Sequence, residues 1–329
     1  MYALVPEPTP QILGRPLAEW IDADGELQQE LFAQARWVRQ QYQMDQVRLR
    51  GVIEISNFCQ KNCNYCAMRA TNQNLDRYRL SAAEILEIAE QIHRLGIGTL
   101  FLQAGQDPAC DAILQEVIPE AKRRLGLHIL LCLGEYPRST YERWRQWGAD
   151  SYILKFETSA PALYRQIAHT PLTKRLQCIR WLQEAGFQVG TGNIVGLPGQ
   201  TLETLVRDVF LIQEIQPDFA SSSPFIPNEN TPFSRLESGS VRRTLNIMAI
   251  LRILLPHALI PTVSALEKLE TGGQLAGLNA GANVITINFT PPPCRSKYVI
   301  YSQERFVVSL GHAQKIIAQA GMTVRPVAI

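Results

Sequence analysis

The alternation of short apolar strands with amphipathic helices constrains the fold of this chain more than any other feature of its sequence. From residue 51 onward, strand patterns are separated by helical stretches such as 81–95 and 201–215. Ser81 followed by Glu84 predicts a capping box at the first of these helices, and Thr201 is expected to open the second. Alternating units of this kind favour a parallel sheet, and eight of them indicate an α/β fold, a (β/α)8 barrel of the TIM type. The eight predicted strands span residues 52–56, 99–103, 128–134, 151–157, 188–195, 218–225, 260–266 and 283–289.

The rest of the chain is expected to pack around this barrel. Residues 1–50 are interpreted as an N-terminal arm and a helical extension, since apolar residues recur at helical spacing between positions 26 and 42. Residues 51–301 form the predicted barrel, and residues 302–329 a C-terminal helix and tail.

Composition and charge argue against several classes of partner. The 329 residues are 46% hydrophobic and 19% charged, as in ordinary globular proteins, and the net charge of +2 gives no reason to expect nucleic acid or an anionic membrane. No apolar run approaches the ~18 residues that would cross a bilayer, and no secretory signal pattern is present. Seven cysteines, an odd number, fit metal use in a reducing cytosol better than a disulfide framework. We therefore expect a cytoplasmic protein that binds neither nucleic acid nor membrane.

Three clustered cysteines follow the first predicted strand, where chemistry on such barrels collects. Cys59, Cys63 and Cys66 have the spacing Cys-x3-Cys-x2-Cys, with Tyr65 directly before the last sulfur. Three thiolates this close can hold three irons of a [4Fe–4S] cluster and leave the fourth iron open. A structural zinc site would need a fourth ligand, and the next cysteine, Cys110, lies far along the chain. Three unrelated core thiols would require the spacing to be accidental.

The cysteine motif resembles the signature of the radical S-adenosylmethionine (radical SAM) superfamily. The resemblance implies that SAM binds the open iron and is cleaved reductively to a 5′-deoxyadenosyl radical. It extends over about residues 50–301 and is strongest to the biotin synthase-like group, in particular to the HydE-type maturases of FeFe hydrogenases. The implied cofactors are a [4Fe–4S] cluster and SAM. The implied partners are a small-molecule substrate, an electron donor such as ferredoxin or flavodoxin, and a possible cofactor-assembly protein.

The same resemblance implies roles for residues that follow other predicted strands. Gly105 and Gln106 stand in the turn that usually holds the SAM amino group, although glutamate is more usual at the position of Gln106. Glu157 matches a carboxylate that hydrogen-bonds SAM, and Arg175 an arginine that clamps the SAM carboxylate with two parallel donors. Ile194 lies in a glycine-rich segment expected to pack against adenine.

Simpler explanations stay open for these positions. The segment 105–108 also suits an ordinary turn. Glu157 could form an ion pair with Lys155 or Arg175, and a helical arginine could be merely solvated.

The segment 288–301 is expected to overhang the mouth of the barrel. Cys294 lies beside Arg295, which could lower its pKa and make it a catalytic thiol, although a lone loop cysteine could equally be inert. Tyr298, with Tyr65, is assigned to cofactor binding. The run 295–298 also resembles the Arg-Ser-x-Tyr ending of lipoyl synthases.

HydE-like maturation is favoured over biotin synthesis. The positions matched to the second-cluster ligands of biotin synthase are Leu102, Leu130, Gly190 and Leu266, whose side chains cannot bind iron. The HydE resemblance implies an iron-bound cysteine complex as substrate. Only Cys294 is available for the peripheral C-terminal cluster of some members, so that cluster is not expected. The alternatives are a methylornithine synthase-like rearrangement, a biotin- or lipoyl-type sulfur insertion, and a non-catalytic accessory protein that binds the cluster or SAM.

Overall fold

The computed structural model describes residues 11–301 and 304–326. The first ten residues of the predicted N-terminal arm, and residues 302, 303 and 327–329 of the predicted tail, lie outside the described residues. In chain order the elements are β1 (Gln11–Ile12), β2 (Arg15–Pro16), α1 (Leu17–Asp22), α2 (Gly25–Gln41), β3 (Gln46–Ser56), α3 (Ala82–Arg94), β4 (Thr99–Ala104), α4 (Cys110–Leu125), β5 (His128–Cys132), α5 (Arg138–Trp147), β6 (Ser151–Ile153), α6 (Pro161–Ala168), α7 (Leu172–Glu184), β7 (Gln188–Val195), α8 (Leu202–Ile215), β8 (Phe219–Pro224), α9 (Val241–Leu254), α10 (Ser264–Leu269), α11 (Gly273–Asn279), β9 (Val284–Asn288), α12 (Pro292–Arg295), α13 (Leu310–Gln319) and β10 (Thr323–Val324).

A parallel sheet forms the centre of the molecule. Strands β3 to β8 pair in chain order, and β9 returns to pair with β3, with Arg48 opposite Val284 and Val52 opposite Asn288. The short strand β10 extends this edge at Gln46 and Val47. Helices separate the strands in sequence, as crossovers between parallel strands require. The predicted α/β class is confirmed.

The seventh predicted strand, 260–266, is wrong. Instead of a regular strand, this part of the chain forms two isolated bridges. Leu259 pairs with Phe219 of β8, and Pro261 pairs with Val284 of β9. Proline has no N–H to donate to a ladder, and α10 begins three residues later. The sheet therefore connects from β8 back to β9 through a short irregular segment.

The predicted boundaries of most other elements are close to those observed, but β6 ends at Ile153, four residues before the predicted end of 151–157. Strand β3 begins at Gln46, six residues before the predicted start, because its first residues pair with β9 and β10. Helix α3 has the predicted capping box: Glu84 N donates to Ser81 Oγ, and Ser81 N donates to Glu84 Oε2. Thr201 caps α8 with a single bond, which its Oγ1 accepts from Thr204 N.

The N-terminal helices pack on the outside of the barrel. Helices α1 and α2 contact α9, and the buried Trp20 donates from Nε1 to Ile12 O at 2.6 Å. Asn246 of α9 donates to Ile21 O and Ala23 O, and Asp22 accepts from Arg243 at 2.9 Å. Polar contacts thus fix this extension at the start of α9.

An apolar layer crosses the inside of the barrel. Val52, Phe101 and Leu130 pack together there, with Cys132 and Ile153 against them, apart from the larger core between sheet and helices. Leu102 belongs to that larger core, and Leu266 lies in α10. The match of Leu102 and Leu266 to second-cluster ligand positions was therefore wrong, although the residue of β4 in the inner layer, Phe101, is equally unable to bind iron.

Among the described ranges, 11–301 and 304–326, there is no helix with both the length and the apolar character needed to span a bilayer.

Candidate active site

Residues 57–81, which we call the cysteine loop, follow the carboxyl end of β3 and lead into α3. Two backbone amides donate to Cys59 Sγ, Lys61 N at 3.4 Å and Gln106 N at 3.3 Å. Donors of this kind orient and stabilise a thiolate that ligates a metal. Burial raises the pKa of Cys63 to about 11 and raises the pKa of Cys66 further. Iron binding would release those protons.

In the described part of the chain, no three His, Cys, Asp or Glu side chains surround a point that a single metal ion could occupy. Each cysteine of a [4Fe–4S] site ligates a different iron, so its sulfurs need not converge in that way. Three thiols on one short loop, with amide donors on one of the sulfurs, fit such a cluster.

Gly105 lies where β4 ends against the cysteine loop. A Cβ built at this position would stand 2.2 Å from Phe58 O and 2.8 Å from Cys59 Cβ. Gly105 N also donates to Ser56 O at 3.2 Å. The glycine therefore holds the loop in place by its lack of a side chain, which is a different contribution from the expected contact with SAM.

We expect Gly105→Ala to lose most of the bound iron and sulfide, because the added methyl group must displace the backbone next to Cys59. The measurement is iron and sulfide per chain after anaerobic reconstitution. Gly311→Ala is the matched control, since a Cβ at Gly311 of α13 meets no atom within 4 Å. Equal iron contents in the two variants would contradict the assigned role of Gly105.

A buried carboxylate that sequence analysis missed, Glu135, joins the cysteine loop to α7. Lys61 Nζ donates to Glu135 Oε2 at 2.6 Å, and Arg175 Nε lies 2.9 Å from Oε1. Burial alone would raise the pKa of Glu135, but Arg175 and Lys61 outweigh it and lower that pKa. Gln106 supports the same residue, since its Oε1 accepts from Glu135 N at 2.9 Å. An acidic residue directly after the predicted strand 128–134 was the available signal.

Arg175 is buried, with 8% of its surface exposed, so the alternative of a solvated arginine is wrong. Its Nε donates to Tyr164 Oη at 2.8 Å and faces Glu135. Burial opposes its charge, yet Tyr164 and Glu135 raise the pKa of Arg175 overall. The guanidinium therefore stays charged.

Glu157 follows β6 in a conformation rarely adopted by non-glycine residues, with φ of 67°. Its backbone bridges to β7: Glu157 N donates to Gly192 O, and Ile194 N donates to Glu157 O at 2.8 Å. Tyr65 Oη donates to Glu157 Oε1 at 3.3 Å. The other oxygen, Oε2, is buried and has no hydrogen-bond partner, although Lys155 Nζ lies 3.5 Å away.

An unsatisfied buried carboxylate oxygen is costly unless a ligand supplies a donor. The hydroxyl and ammonium groups of SAM are such donors. Glu157 is held next to Tyr65 of the cysteine loop and next to Ile194. The residues present therefore fit SAM beside the cluster, and the ion pair with Lys155 does not satisfy Oε2.

Asp208, also missed from sequence, ties together the backbone around Glu157 and Ile194. The fully buried carboxylate accepts from Ser159 N at 2.6 Å and from Asn193 Nδ2 at 3.0 Å. It also accepts from Gln200 Nε2, which donates to Ile194 O as well. Burial raises the pKa of Asp208 to about 6. One carboxylate on α8 thus positions the ends of β6 and β7.

Residues 289–301 and 304–309, which we call the covering segment, lie over the carboxyl end of the barrel. Tyr298 is buried there, and its raised pKa reflects burial first and then the nearby Glu54, Cys132, Tyr78 and Cys66. Tyr298 therefore lies at the inner side of the site, within electrostatic range of one cysteine of the loop.

Cys294 lies on α12 in the same segment, partly buried. Burial raises its pKa, and Lys297 and Glu84 are the charged groups that act on it. The lowered pKa expected from the neighbouring Arg295 is wrong. Its catalytic role stays a prediction.

The structure thus brings Tyr65, Glu157 and Arg175 together at the cysteine loop. Gln106 is connected to Arg175 through Glu135, which it contacts by a hydrogen bond. The electrostatic effect of Arg175 on Cys63, and of Glu157 on both Cys63 and Cys66, shows the same proximity.

Comparison with known proteins agrees with this site. The model of the radical SAM superfamily matches residues 53–212. The chain is 41% identical over 273 residues to the [FeFe] hydrogenase maturase subunit HydE of Thermotoga maritima, covering 82% of this chain and 78% of that protein. It is 31% identical over 271 residues to 3-methylornithine synthase of Methanosarcina acetivorans, covering 81% of this chain and 76% of that protein. The crystal structure of methylornithine synthase superposes with a TM-score of 0.83 at 26% identity, covering 94% of this chain and 93% of that structure.

With a cysteine triplet, a matched superfamily model and a 41% identical relative, the chain belongs to the radical SAM superfamily, within its biotin synthase-like group, and is an enzyme whose cofactors are a [4Fe–4S] cluster and S-adenosylmethionine.

Proposed function

We propose that this enzyme performs the HydE-like step of FeFe-hydrogenase maturation on a small substrate held inside the barrel. The observation that carries the proposal is the 41% identity to a HydE protein over most of both chains. The interior of the barrel is compatible with it, because the buried charges of Glu54 and Arg305 lie beside Tyr298. A few charged groups among apolar side chains such as Val52, Phe101 and Leu130 suit the binding of a small polar substrate.

Bound together, the cluster and SAM supply a 5′-deoxyadenosyl radical. We assign Cys59, Cys63 and Cys66 to three irons. Glu157 accepts a hydrogen bond from a SAM hydroxyl or ammonium at its free Oε2, and Tyr65 fixes the other oxygen. The guanidinium of Arg175 offers its remaining donors to the SAM carboxylate.

The remaining residues exclude water and hold the site in shape. Ile194 provides an apolar surface for adenine, and Asp208 keeps its backbone in place. Tyr298 closes the inner end of the site. Cys294 is kept as a candidate thiol for the substrate side, supported only by its position in the covering segment.

The test is functional replacement. A strain that lacks its own HydE but retains an FeFe hydrogenase and the other maturases is supplied with this chain, and hydrogenase activity is measured. Recovery that disappears with Cys63→Ala supports the proposal. An encoding genome without any FeFe hydrogenase, or no recovery despite SAM cleavage in vitro, would contradict the maturase assignment.

A methylornithine synthase-like rearrangement is the second candidate, favoured by the TM-score of 0.83 and the coverage of 94% of this chain. Incubation of the reduced enzyme with SAM and the unbranched amino-acid isomer of 3-methylornithine distinguishes it, because only a rearrangement of that kind yields 3-methylornithine. A non-catalytic accessory role predicts instead that the reduced, reconstituted chain forms no 5′-deoxyadenosine above the rate of Cys63→Ala.

Glu157→Gln is expected to weaken SAM binding about 10- to 100-fold, the usual effect of losing a hydrogen bond to a charged group. The amide can accept one bond but places an N–H₂ where a donor from SAM should arrive. Equilibrium dialysis with labelled SAM measures the effect, and cluster content should be unchanged. Glu184→Gln, on the exposed end of α7, is the control. Equal SAM affinities of the two variants would contradict the assignment of Glu157 to the SAM site.

The remaining partners are also proposals. Reductive cleavage requires a one-electron donor such as ferredoxin or flavodoxin, and a HydE-like role requires a cofactor-assembly protein to receive the product. We place the enzyme in the cytoplasm, where seven cysteines without disulfides are stable.

A further inference from the structure

Positive charge is concentrated in the cysteine loop and in a second segment that contacts it. Residues 57–81 contain four basic residues and one acidic residue, and residues 158–183 contain four basic residues and none that is acidic. The net charges of these segments are +3 and +4, whereas that of the whole chain is +2. The remainder of the protein is therefore net negative.

The two segments meet at Asn64, which lies between Cys63 and Cys66. Asn64 N donates to Ile167 O, and its Nδ2 donates to Gln166 O, both at 2.8 Å. Arg69 donates to Asn64 Oδ1, which also contacts His169 Nε2 at 2.9 Å. The cysteine loop, α6 and the turn after α6 thus form one continuous surface.

We call the basic side chains of this surface the cationic rim: Lys61, Arg69, Arg79, Arg165 and Lys174. Arg165 and Lys174 are exposed. The acidic partners of Lys61 and Arg79, Glu135 and Asp107, are themselves buried. The one acidic residue within the two segments, Asp76, is paired with Lys297. The pairs with Glu135 and Asp107 neutralise Lys61 and Arg79, so the outward positive charge of the rim comes from Arg69, Arg165 and Lys174. No exposed carboxylate of the two segments is left unpaired.

Phe58 gives this surface an apolar contact next to the cluster ligands. It directly precedes Cys59, and 37% of its surface is exposed. The Arg79 guanidinium lies 4.6 Å from the centre of its ring. An exposed aromatic side chain bordered by cations is a typical anchor for a protein partner.

We propose that the cationic rim and Phe58 bind an acidic, low-potential one-electron carrier protein and bring its redox centre to the cysteine loop. In the transfer one electron leaves the carrier, which is oxidised, and enters the cluster, which is reduced. This inference rests on the proposed function, because only a cluster that must be reduced needs such a surface. Charge complementarity selects the partner and speeds its association.

The test uses chemically reduced flavodoxin as the acidic carrier and follows 5′-deoxyadenosine formation at increasing carrier concentrations. We expect Arg165→Glu combined with Lys174→Glu to raise the KM for flavodoxin about tenfold at low ionic strength, and the difference to shrink in high salt. With dithionite, which needs no docking surface, the variant should work at the parent rate. Lys315→Glu on the exposed face of α13 is the matched charge reversal and should leave both rates unchanged.

A KM for flavodoxin that stays within twofold of the parent value overturns the proposal. A variant whose oligomeric state changes while its carrier kinetics do not also overturns it, because the rim would then be an interface between copies of this chain. Flavodoxin affinity measured by titration calorimetry gives a second readout that needs no turnover. If the parent enzyme forms no 5′-deoxyadenosine with dithionite, the proposed function fails, and calorimetry alone still decides whether the rim binds the carrier.

Discussion

Cys63→Ala is expected to abolish reductive cleavage of SAM, with 5′-deoxyadenosine formation lower by at least about 10³-fold, because two thiolates cannot replace the three that leave one iron open. The same change should remove most of the visible absorbance of the reconstituted cluster. The loss of Cys63 is not expected to destabilise the fold enough to explain such an effect, because the residue is only partly buried and lies on a loop. The measurement is product formed with dithionite and SAM under strictly anaerobic conditions.

Cys178→Ala is the matched control for this experiment. Cys178 is a free, buried cysteine on α7 whose Sγ contacts Tyr136 O at 3.9 Å. Its loss should leave iron, sulfide and product formation near the parent values. A Cys63→Ala protein that keeps a cluster with SAM-dependent spectral change would overturn the ligand assignment.

Arg305→Met is expected to reduce the free energy of unfolding by about 3–5 kcal/mol, the cost of leaving a buried carboxylate without its partner. Arg305 forms two hydrogen bonds of 2.5 Å to the carboxylate of Glu54, and the two side chains are only 11% and 3% exposed. The guanidinium also lies 5.5 Å from the centre of the Tyr298 ring. This ion pair joins the covering segment to β3, so its loss should also loosen the mouth of the barrel.

The double change Glu54→Gln with Arg305→Met should recover most of this loss, because it removes the uncompensated charge. Arg123→Met provides the comparison at the surface: its pair with Glu120 is largely exposed, and its loss should cost less than about 1 kcal/mol. Chemical denaturation measures all three. An Arg305→Met protein as stable as Arg123→Met would show that the buried pair contributes little.

Local sequence was sufficient to predict a feature where the interaction that forms it joins residues close together in the chain. The capping box of Ser81 and Glu84 was predicted and is confirmed, because both partners lie within one helical turn. The cysteine triplet was recognised for the same reason, since its spacing is carried by eight consecutive residues. The strand at 260–266 failed because Pro261 prevents a ladder that its apolar neighbours otherwise favour.

Residues whose partners are remote in sequence could not be found in this way. Glu135 follows a predicted strand, but its role is visible only in its contacts with Lys61 and Arg175, which come from two other parts of the chain. Arg305 lies 251 positions from Glu54, and no local pattern distinguishes it from a solvated arginine. Gly105 was placed at the correct turn, but its close approach to Phe58 is visible only when two loops are packed together.

The sequence by itself determined the strand and helix alternation and the three clustered sulfurs, because hydrophobic periodicity and ligand spacing act over a few residues. The tertiary structure alone decided which buried charges neutralise one another, where Glu157 is left with an unsatisfied oxygen, and how residues after β9 cover the barrel. The physical reason is that burial and pairing depend on chain segments from 40 to about 250 residues apart meeting in a medium of low polarity, where each charge must find its partner.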